Sequence, residues 1–288
     1  GPLQGNPGHS IFGDNYCYDH PGLVPWFHKH DRGGPLPTPY RTMPLGDGIT
    51  QSDTNYDSYR YELWKKLSQN GYHLNFVGSQ DAHNGGNRSY THYDFFNCNN
   101  NMDRDHEGHW DYRADQVLSN ISTYAAAHYP EIVLLHLGTK DIRDGQTASS
   151  TAGEIGDIID GLRVYNPCAK VFLAKVIPLG SGVPNYENIP GLNTELGSLA
   201  SSKSTTTSPV TIVDHYTSFD ASTHTHDGIR PNAAGELEMA TRWYGALLPL
   251  LQSPNSAPAV KMSWPDDGAQ LASTGTAPLS VDVFDRDG

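Results

Sequence analysis

Charged side chains stand at three places where the sequence pattern changes from an apolar run to a helical one. Asp47 follows the run RTMPL, and Lys140 follows the run EIVLLHL. Asp227 and Arg230 precede a long amphipathic segment. A carboxylate can act as a general acid or base, whereas a cation beside it binds anionic groups through charge-assisted hydrogen bonds and makes the carboxylate a poorer base. These positions are therefore candidates for acid–base chemistry or for anion binding.

A second group of ionisable residues lies in a long polar segment, residues 78–111. Its members are Asp103, Asp105, His106, Glu107 and His109. Their spacing lacks the H-E-x-x-H pattern that places two metal ligands on one helical face, so we favour a structural loop and predict neither a metal nor another cofactor. The aromatic side chains of the same segment either pack locally or stack on sugar rings. They are Tyr90, Tyr93, Phe95, Phe96, Trp110 and Tyr112.

Apolar strands alternate with amphipathic helices between residues 41 and 251. The predicted strands are 41–45, 73–77, 131–137, 170–177 and 210–214. The predicted helices are 56–69, 113–128, 150–165, 193–201 and 232–251, the last capped by Asn232. This alternation predicts an α/β fold, a three-layer α/β/α sandwich with a five-stranded parallel sheet. A site in such a sheet lies at the carboxyl ends of the strands, where the charged residues stand.

The composition changes on both sides of this central domain, which we assign to residues 41–252. Residues 1–40 carry Gly, Pro, His and aromatic residues without a period, which predicts an irregular N-terminal arm. Residues 253–288 have the pattern of a linker followed by the start of an immunoglobulin-like or cadherin-like module. A complete module needs roughly 100 residues, so we expect additional domains in a longer native chain.

The charge balance limits the partners. There are 19 Lys and Arg against 32 Asp and Glu, a net charge of −13, which argues against the basic face of a nucleic-acid binder and against a polybasic membrane anchor. No apolar run approaches the roughly 18 residues of a membrane helix, so we expect no membrane insertion. Of the cysteines, Cys17 and Cys98 are the better pair for a disulfide in an oxidising compartment, and Cys168 is predicted to be a free thiol.

Six sequence blocks, in this order, resemble the SGNH, or GDSL-like, hydrolases, and most closely their carbohydrate-esterase branch. The blocks are MPLGDGITQ (43–51), SYRYELWKKL (58–67), NFVGSQ (75–80), DHEGHW with RADQVLSNI (105–121), LLHLGTKDI (134–142) and HDGIRPNAAGELEMA (226–240). The resemblance covers roughly residues 41–251. It implies the SGNH fold, a polysaccharide or oligosaccharide as the partner, and a secreted or cell-surface location.

The chain departs from the family pattern at the positions that carry the chemistry. In the family, the first block supplies a nucleophilic serine, the fifth an oxyanion-binding asparagine, and the last the Asp and His of a catalytic triad. Retained are Asp47, Gly78, Gly138, Asp141 and Asp227. Gly48 stands at the serine position, Lys140 at the asparagine position and Arg230 at the histidine position. The third block also differs, with Asp111 and Tyr112 where the family pattern has glycine and tryptophan.

These replacements remove ordinary serine-esterase chemistry. Glycine has no atom that can attack a carbonyl, and arginine has no lone pair with which to accept a proton. Thr50 and Ser52 lie past the turn and are poor substitutes for the nucleophile. His226 is offset by one residue from the triad pattern and is expected to be a loop histidine. His136, inside an apolar strand, is expected to be a core histidine with its hydrogen bonds satisfied.

Two explanations of the replaced positions stay open: drift of a disused site, or a repurposed site that binds a uronate or sulfate group. The second makes Asp47 and Asp227 the candidate acid–base residues. Its substrate-binding residues are Gly48, Gly78, Lys140, Arg230, Trp110 and Tyr112. We predict a secreted carbohydrate-directed protein without serine-esterase chemistry, which binds an acidic polysaccharide and could cleave it by lyase or glycosidase chemistry. The alternatives are an inactive binding or scaffold module and a residual esterase with another nucleophile.

Overall fold

The computed structural model describes residues 39–70, 72, 74–86 and 102–252, and the backbone of residues 260–263 and 280–283. Parallel strands form the central sheet in the order β2-β1-β4-β5-β6. They are β1 (Tyr40–Gly46), β2 (Leu74–Phe76), β4 (Ile132–His136), β5 (Lys170–Lys175) and β6 (Val210–Asp214). A two-residue strand, β3 (Glu107–Gly108), pairs with the end of β1. The predicted five-stranded parallel sheet is confirmed, with β3 as an addition.

Helices cover both faces of the sheet. They are α1 (Gly48–Gln51), α2 (Tyr59–Gln69), α3 (Ala114–His128), α4 (Thr139–Arg143), α5 (Ala148–Tyr165), α6 (Ile189–Lys203), α7 (Ala221–His224) and α8 (Ala233–Leu251). A 3-10 turn, Tyr186–Asn188, precedes α6. Asn232 caps α8 as predicted, because its side chain accepts the backbone N–H groups of Ala234 and Gly235.

The core follows from the alternation of side chains along fully buried strands. In β4, Val133 and Leu135 pack on the face covered by α3, α5 and α6. Ile132 and Leu134 pack on the opposite face, which α2 and α8 cover. A continuously apolar strand is expected where both faces of a parallel sheet are buried, so the run EIVLLHL is the central strand of the predicted three-layer sandwich.

The structure differs from the prediction mainly at element ends and in short elements. The second helix starts at Tyr59 rather than at residue 56, because Ser58 is its N-cap. The helix predicted at 193–201 spans Ile189–Lys203. The short helices α1 and α4 were not predicted, since four or five residues are too few to show a helical period.

Parts of the predicted organisation fall on residues that the structure does not describe. These are the N-terminal arm up to residue 38, both Cys17 and Cys98, and the aromatic residues of the segment 87–101. Cys168 is a free, exposed thiol, as predicted. Strands β7 (Val260–Ser263) and β8 (Ser280–Val283) pair antiparallel, and the identity of the module at 253–288 stays a prediction. In the described part of the chain, no helix has the length and apolar character needed to span a membrane.

Candidate functional site at the ends of β1, β3 and β4

The candidate site forms where three neighbouring strands end. In the parallel register, Gly46 of β1 lies opposite His136 of β4 on one side and Gly108 of β3 on the other. The residues that follow these strands therefore leave the same edge of the sheet side by side. They include Gly48 after β1, Trp110 after β3 and Lys140 after β4.

An open cleft lies at this edge. Its described lining residues are Asp47, Gly48, Ile49, Asp111, Thr139, Lys140, Arg143, Ile229 and Arg230. The fold thus brings together Asp47, Gly48, Lys140 and Arg230, which are distributed over the sequence from residue 47 to residue 230. Among the described lining residues, Thr139 is the only one with a hydroxyl group, and none is a serine, cysteine or histidine.

The Trp110 indole occupies the space next to Gly48. A Cβ atom built on Gly48 would lie 3.2 Å from Trp110 Cε3 and 3.6 Å from Cδ2. The backbone N–H of Trp110 donates to the Gln51 side chain at 2.7 Å, which holds the residue beside α1. The guanidinium of Arg230 lies 4.0 Å from the centre of the Trp110 ring system, a cation–π distance. Trp110 therefore contacts Gly48 and Arg230 together.

Arg230 is paired with Asp227 on the loop before α8. Its Nη1 atom lies 2.5 Å from Asp227 Oδ2. The other carboxylate oxygen of Asp227 accepts the backbone N–H groups of Ile229 and Arg230 at 2.9 and 2.7 Å. Burial acts to raise the pKa of Asp227, but these hydrogen bonds and the Arg230 charge outweigh burial and lower the pKa. Asp227 is consequently ionised, fully engaged and a poor base.

Lys140 is also paired. Its Nζ atom lies 2.7 Å from both carboxylate oxygens of Asp144, one helical turn further on, and 3.8 Å from Asp111. The hydrogen bond from Lys140 lowers the pKa of Asp144. Asp111 has a φ of 60°, in the left-handed region that favours glycine. The side chains of Lys140 and Asp111 thus face each other across the cleft.

Gly138 fixes the start of α4 and so the position of Lys140. Its φ of 115° is unfavourable for any residue with a side chain. A Cβ atom there would also lie 2.8 Å from Leu192 Cδ2. The glycine retained from the family block is therefore required by the backbone.

Asp47 combines a structural contact with an unpartnered oxygen. Its Oδ1 atom accepts the backbone N–H of Ile49 at 2.9 Å and caps α1. Its Oδ2 atom is buried and has no hydrogen-bond partner among the described residues. Burial raises the pKa of Asp47 to about 6, although the Ile49 N–H, the nearby Thr139 hydroxyl and the charges of Arg143 and Arg230 act against the increase. The Thr139 hydroxyl is close to this carboxylate without reaching hydrogen-bond geometry.

Sequence reasoning missed Arg143, the last residue of α4, which lines the cleft beside Lys140. Its Nε atom is buried and has no hydrogen-bond partner in the described part of the chain. The spacing of Lys140 and Asp144 was an available signal, because oppositely charged residues four apart on a helix pair with each other. That pairing leaves Arg143 as the remaining cation of α4.

Two of the predicted substrate-binding residues lie elsewhere. Gly78 does not line the cleft, and its Cα faces the backbone of His106 and Glu107 so closely that a Cβ atom would overlap it. The Tyr112 ring stacks on His109 with centroids 4.9 Å apart, and it packs against the core beneath α3. Gly78 and Tyr112 therefore have structural roles in this fold.

The ionisable residues of the segment 102–109 make structural contacts. Glu107 is fully buried and accepts the backbone N–H and the hydroxyl of Ser79 at 2.8 and 2.6 Å. Nε2 of His109 lies 2.6 Å from the same carboxylate. Asp103 accepts the backbone N–H of Phe76. Within the described ranges, no cluster of three or more His, Cys, Asp or Glu side chains could hold a metal ion.

The remaining candidates from the sequence also lie outside the cleft lining. The Thr50 hydroxyl is buried against the Tyr59 hydroxyl at 3.1 Å, and Ser52 is buried at the end of α1. The His226 ring packs against the Tyr56 ring in a tilted arrangement, with centroids 5.0 Å apart. His136 is buried as expected, but the expectation of satisfied hydrogen bonds is wrong, because neither ring nitrogen has a partner among the described residues.

Comparison with known proteins identifies solved structures that have a similar fold. A GDSL-like lipase from Bacteroides thetaiotaomicron has the same fold, with a TM-score of 0.51 at 16% identity over 79% of this chain and 98% of its own. The fold is thus that of the SGNH, or GDSL-like, hydrolases.

More similar in sequence is a family 3 carbohydrate esterase from Talaromyces cellulolyticus, at 28% identity and a TM-score of 0.63 over 74% of this chain and 98% of its own. A curated multidomain esterase from Ruminococcus flavefaciens is 25% identical over 79% of this chain. The chain spans only 31% of that protein. No family model matches the sequence.

Proposed function

We propose that this chain is an extracellular carbohydrate-binding protein on a carbohydrate-esterase scaffold, without serine-esterase activity. The similarity to carbohydrate esterases supports the class of ligand. The observation that carries the proposal is the arrangement around Gly48, where glycine offers no nucleophile side chain and the indole of Trp110 lies directly against it. Arg230, at the position of the base, stacks on that indole and is paired with Asp227.

The described residues of this cleft do not provide the complete set of groups that acyl transfer requires. Gly48 offers no nucleophile, and Arg230 stays protonated and cannot accept a proton. Lys140, at the oxyanion position, already donates to Asp144. The Thr139 hydroxyl lies beside Asp47, but no imidazole stands among the cleft-lining residues to activate it. The cleft therefore favours recognition of a ligand over attack on an ester.

The lining of the cleft suits a sugar residue. Charged donors and acceptors line the cleft. The partly exposed indole of Trp110 is not itself a lining residue but contacts Gly48 and Arg230 of the lining. We propose that one sugar residue of an oligosaccharide occupies the cleft, with Trp110 as its apolar contact. Attached domains, such as those of the multidomain relative, would supply further contacts.

The experiment combines a binding assay with a hydrolysis assay on the intact chain. Isothermal titration calorimetry against acetylated, acidic and neutral oligosaccharides should detect binding, and acetate release from the acetylated members should equal the buffer background. Trp110→Ala should weaken binding at least about tenfold. Tyr129→Ala, which changes an exposed aromatic residue outside the cleft lining, should not change it. Enzymatic acetate release, or no binding to any oligosaccharide, would overturn the proposal.

A second candidate function, cleavage of the glycan, is favoured by one observation. Asp47 has a pKa raised to about 6 by burial, which is suitable for a general acid near neutral pH. Against it, the residue is only 3% exposed, and the pKa of Asp227 is lowered. Appearance of an unsaturated uronate by ultraviolet absorbance, lost in Asp47→Asn, would establish lyase activity. No new product from any polysaccharide would reject cleavage and leave binding.

A further inference from the structure

Arg143 is the cation of the cleft that has no ion-pair partner among the described residues. The other two cations of the lining are each held by a carboxylate, Lys140 by Asp144 at 2.7 Å and Arg230 by Asp227 at 2.5 Å. Arg143 has no carboxylate within 4.0 Å in the described part of the chain. One guanidinium at this edge of the sheet is therefore left for an external anion.

The backbone of Arg143 is anchored at the end of α4, whereas its side chain makes no hydrogen bond among the described residues. Its Nε atom is buried and has no hydrogen-bond acceptor among the described residues. The backbone carbonyl of Arg143 accepts the side-chain amide of Asn185 at 3.1 Å, which anchors the end of α4. Arg143 as a residue is partly exposed and lines the cleft, so an external anion meets its terminal Nη groups rather than the buried Nε atom.

A carboxylate is the group that this donor fits. The planar guanidinium presents parallel N–H groups that match the two oxygens of a carboxylate. Asp47 is close enough for the Arg143 charge to act on it, yet it lies beyond ion-pair distance. A ligand carboxylate can thus approach Arg143 without displacing an existing ion pair.

We propose that Arg143 recognises the carboxylate of an acidic sugar bound in the cleft, which makes uronate-containing oligosaccharides the preferred ligand class. This inference rests on the proposed carbohydrate-binding function and adds a residue and a ligand charge to it. It also changes the assignment made from the sequence, where Lys140 and Arg230 were the anion-binding residues. In the structure, those two cations neutralise carboxylates of the protein itself.

The test is calorimetric titration of the intact chain with galacturonate and glucuronate oligosaccharides and with their methyl esters, which lack the charge. The acids should bind about tenfold to a hundredfold more tightly than the esters, the range expected for a hydrogen bond to a charged group. Arg143→Gln should abolish this preference, and Arg143→Lys should keep only part of it. Lys66→Gln, a change of a cation on α2 outside the cleft lining, should have no effect.

Thermal unfolding of each variant checks that it folds, and we expect no loss of stability in Arg143→Gln because no ion pair is broken. Equal binding of acids and esters, unchanged in Arg143→Gln, would overturn this inference and leave the carbohydrate-binding function intact. Loss of affinity in Arg143→Gln for a sulfated oligosaccharide alone would show that the assignment to a carboxylate is wrong. No binding of any oligosaccharide would overturn both proposals.

Discussion

Restoring the hydroxyl at position 48 should not restore an esterase. Gly48 has no left-handed φ, and a Cβ atom there would lie 3.2 Å from Trp110 Cε3, so the indole must shift by a few tenths of an ångström. We expect Gly48→Ser to fold with a loss of about 1–2 kcal/mol, typical of mild overpacking. It should not hydrolyse acetyl esters, because Arg230 cannot take the proton of the serine and stays paired with Asp227.

The combined variant Gly48→Ser, Arg230→His, Lys140→Asn should gain activity. The histidine would stand near Asp227, and loss of the Arg230 guanidinium would remove its contact with the Trp110 ring. A positioned general base contributes about 10²–10⁴-fold, so we expect acetyl-ester hydrolysis at least about 10²-fold faster than in the single variant.

Initial rates with 4-nitrophenyl acetate and with acetylated xylo-oligosaccharides measure this difference. The matched control is the same combination with Gly48→Ala, which adds the Cβ atom without the hydroxyl and should stay inactive. If Gly48→Ser alone hydrolysed esters as fast as the combined variant, the assignment of Arg230 to the position of the base would be refuted.

Three further predictions concern buried polar groups. Burial lowers the pKa of His136 from 6.5 to about 4. The contribution of this neutral histidine to the free energy of unfolding is therefore complete above pH 6.5 and declines by up to about 3 kcal/mol towards pH 4. His136→Leu should make the free energy of unfolding less dependent on pH between these values. Burial raises the pKa of Glu236 to about 8, so its stabilising protonated form is lost as the pH rises through 8, and Glu236→Gln should exceed the wild type in urea stability at pH 9 by more than about 1 kcal/mol. The buried Asn193 side chain bonds both backbone groups of Val176 at 2.7 and 2.9 Å, and Asn193→Ala should cost about 2 kcal/mol in the same assay. An unchanged pH dependence, a less stable Gln variant at pH 9 or an unaffected Ala variant would each contradict the corresponding reasoning.

The parallel sheet and the convergence of residues at its edge were predictable because both follow from strong local patterns, whereas the strand order was not predicted. The apolar run ending at Leu137 has to be a buried strand, and short apolar runs separated by amphipathic helices have to form parallel strands. Once Gly48 and Lys140 are assigned to the ends of such strands, general rules for α/β sheets place them at one edge.

The contents of the cleft were harder to predict because they depend on short elements and on competition between charges. Trp110 reaches Gly48 only because the two-residue strand β3 forms inside a segment that has the composition of a loop. Lys140 and Arg230 were expected to face a ligand, but carboxylates close in the sequence, Asp144 and Asp227, pair with them. Once a cation is paired with a carboxylate of the protein, another cation is left to bind a ligand. Composition alone does not reveal which cation that is.

The central claim is that the cleft contains no activated nucleophile. Incubation of the wild-type chain with a fluorophosphonate probe, followed by intact mass spectrometry, tests this claim most directly, because the probe forms an adduct only with an activated hydroxyl. The account predicts no adduct on the folded chain. An adduct mapped to Thr139, or to any serine beside the cleft, would contradict it.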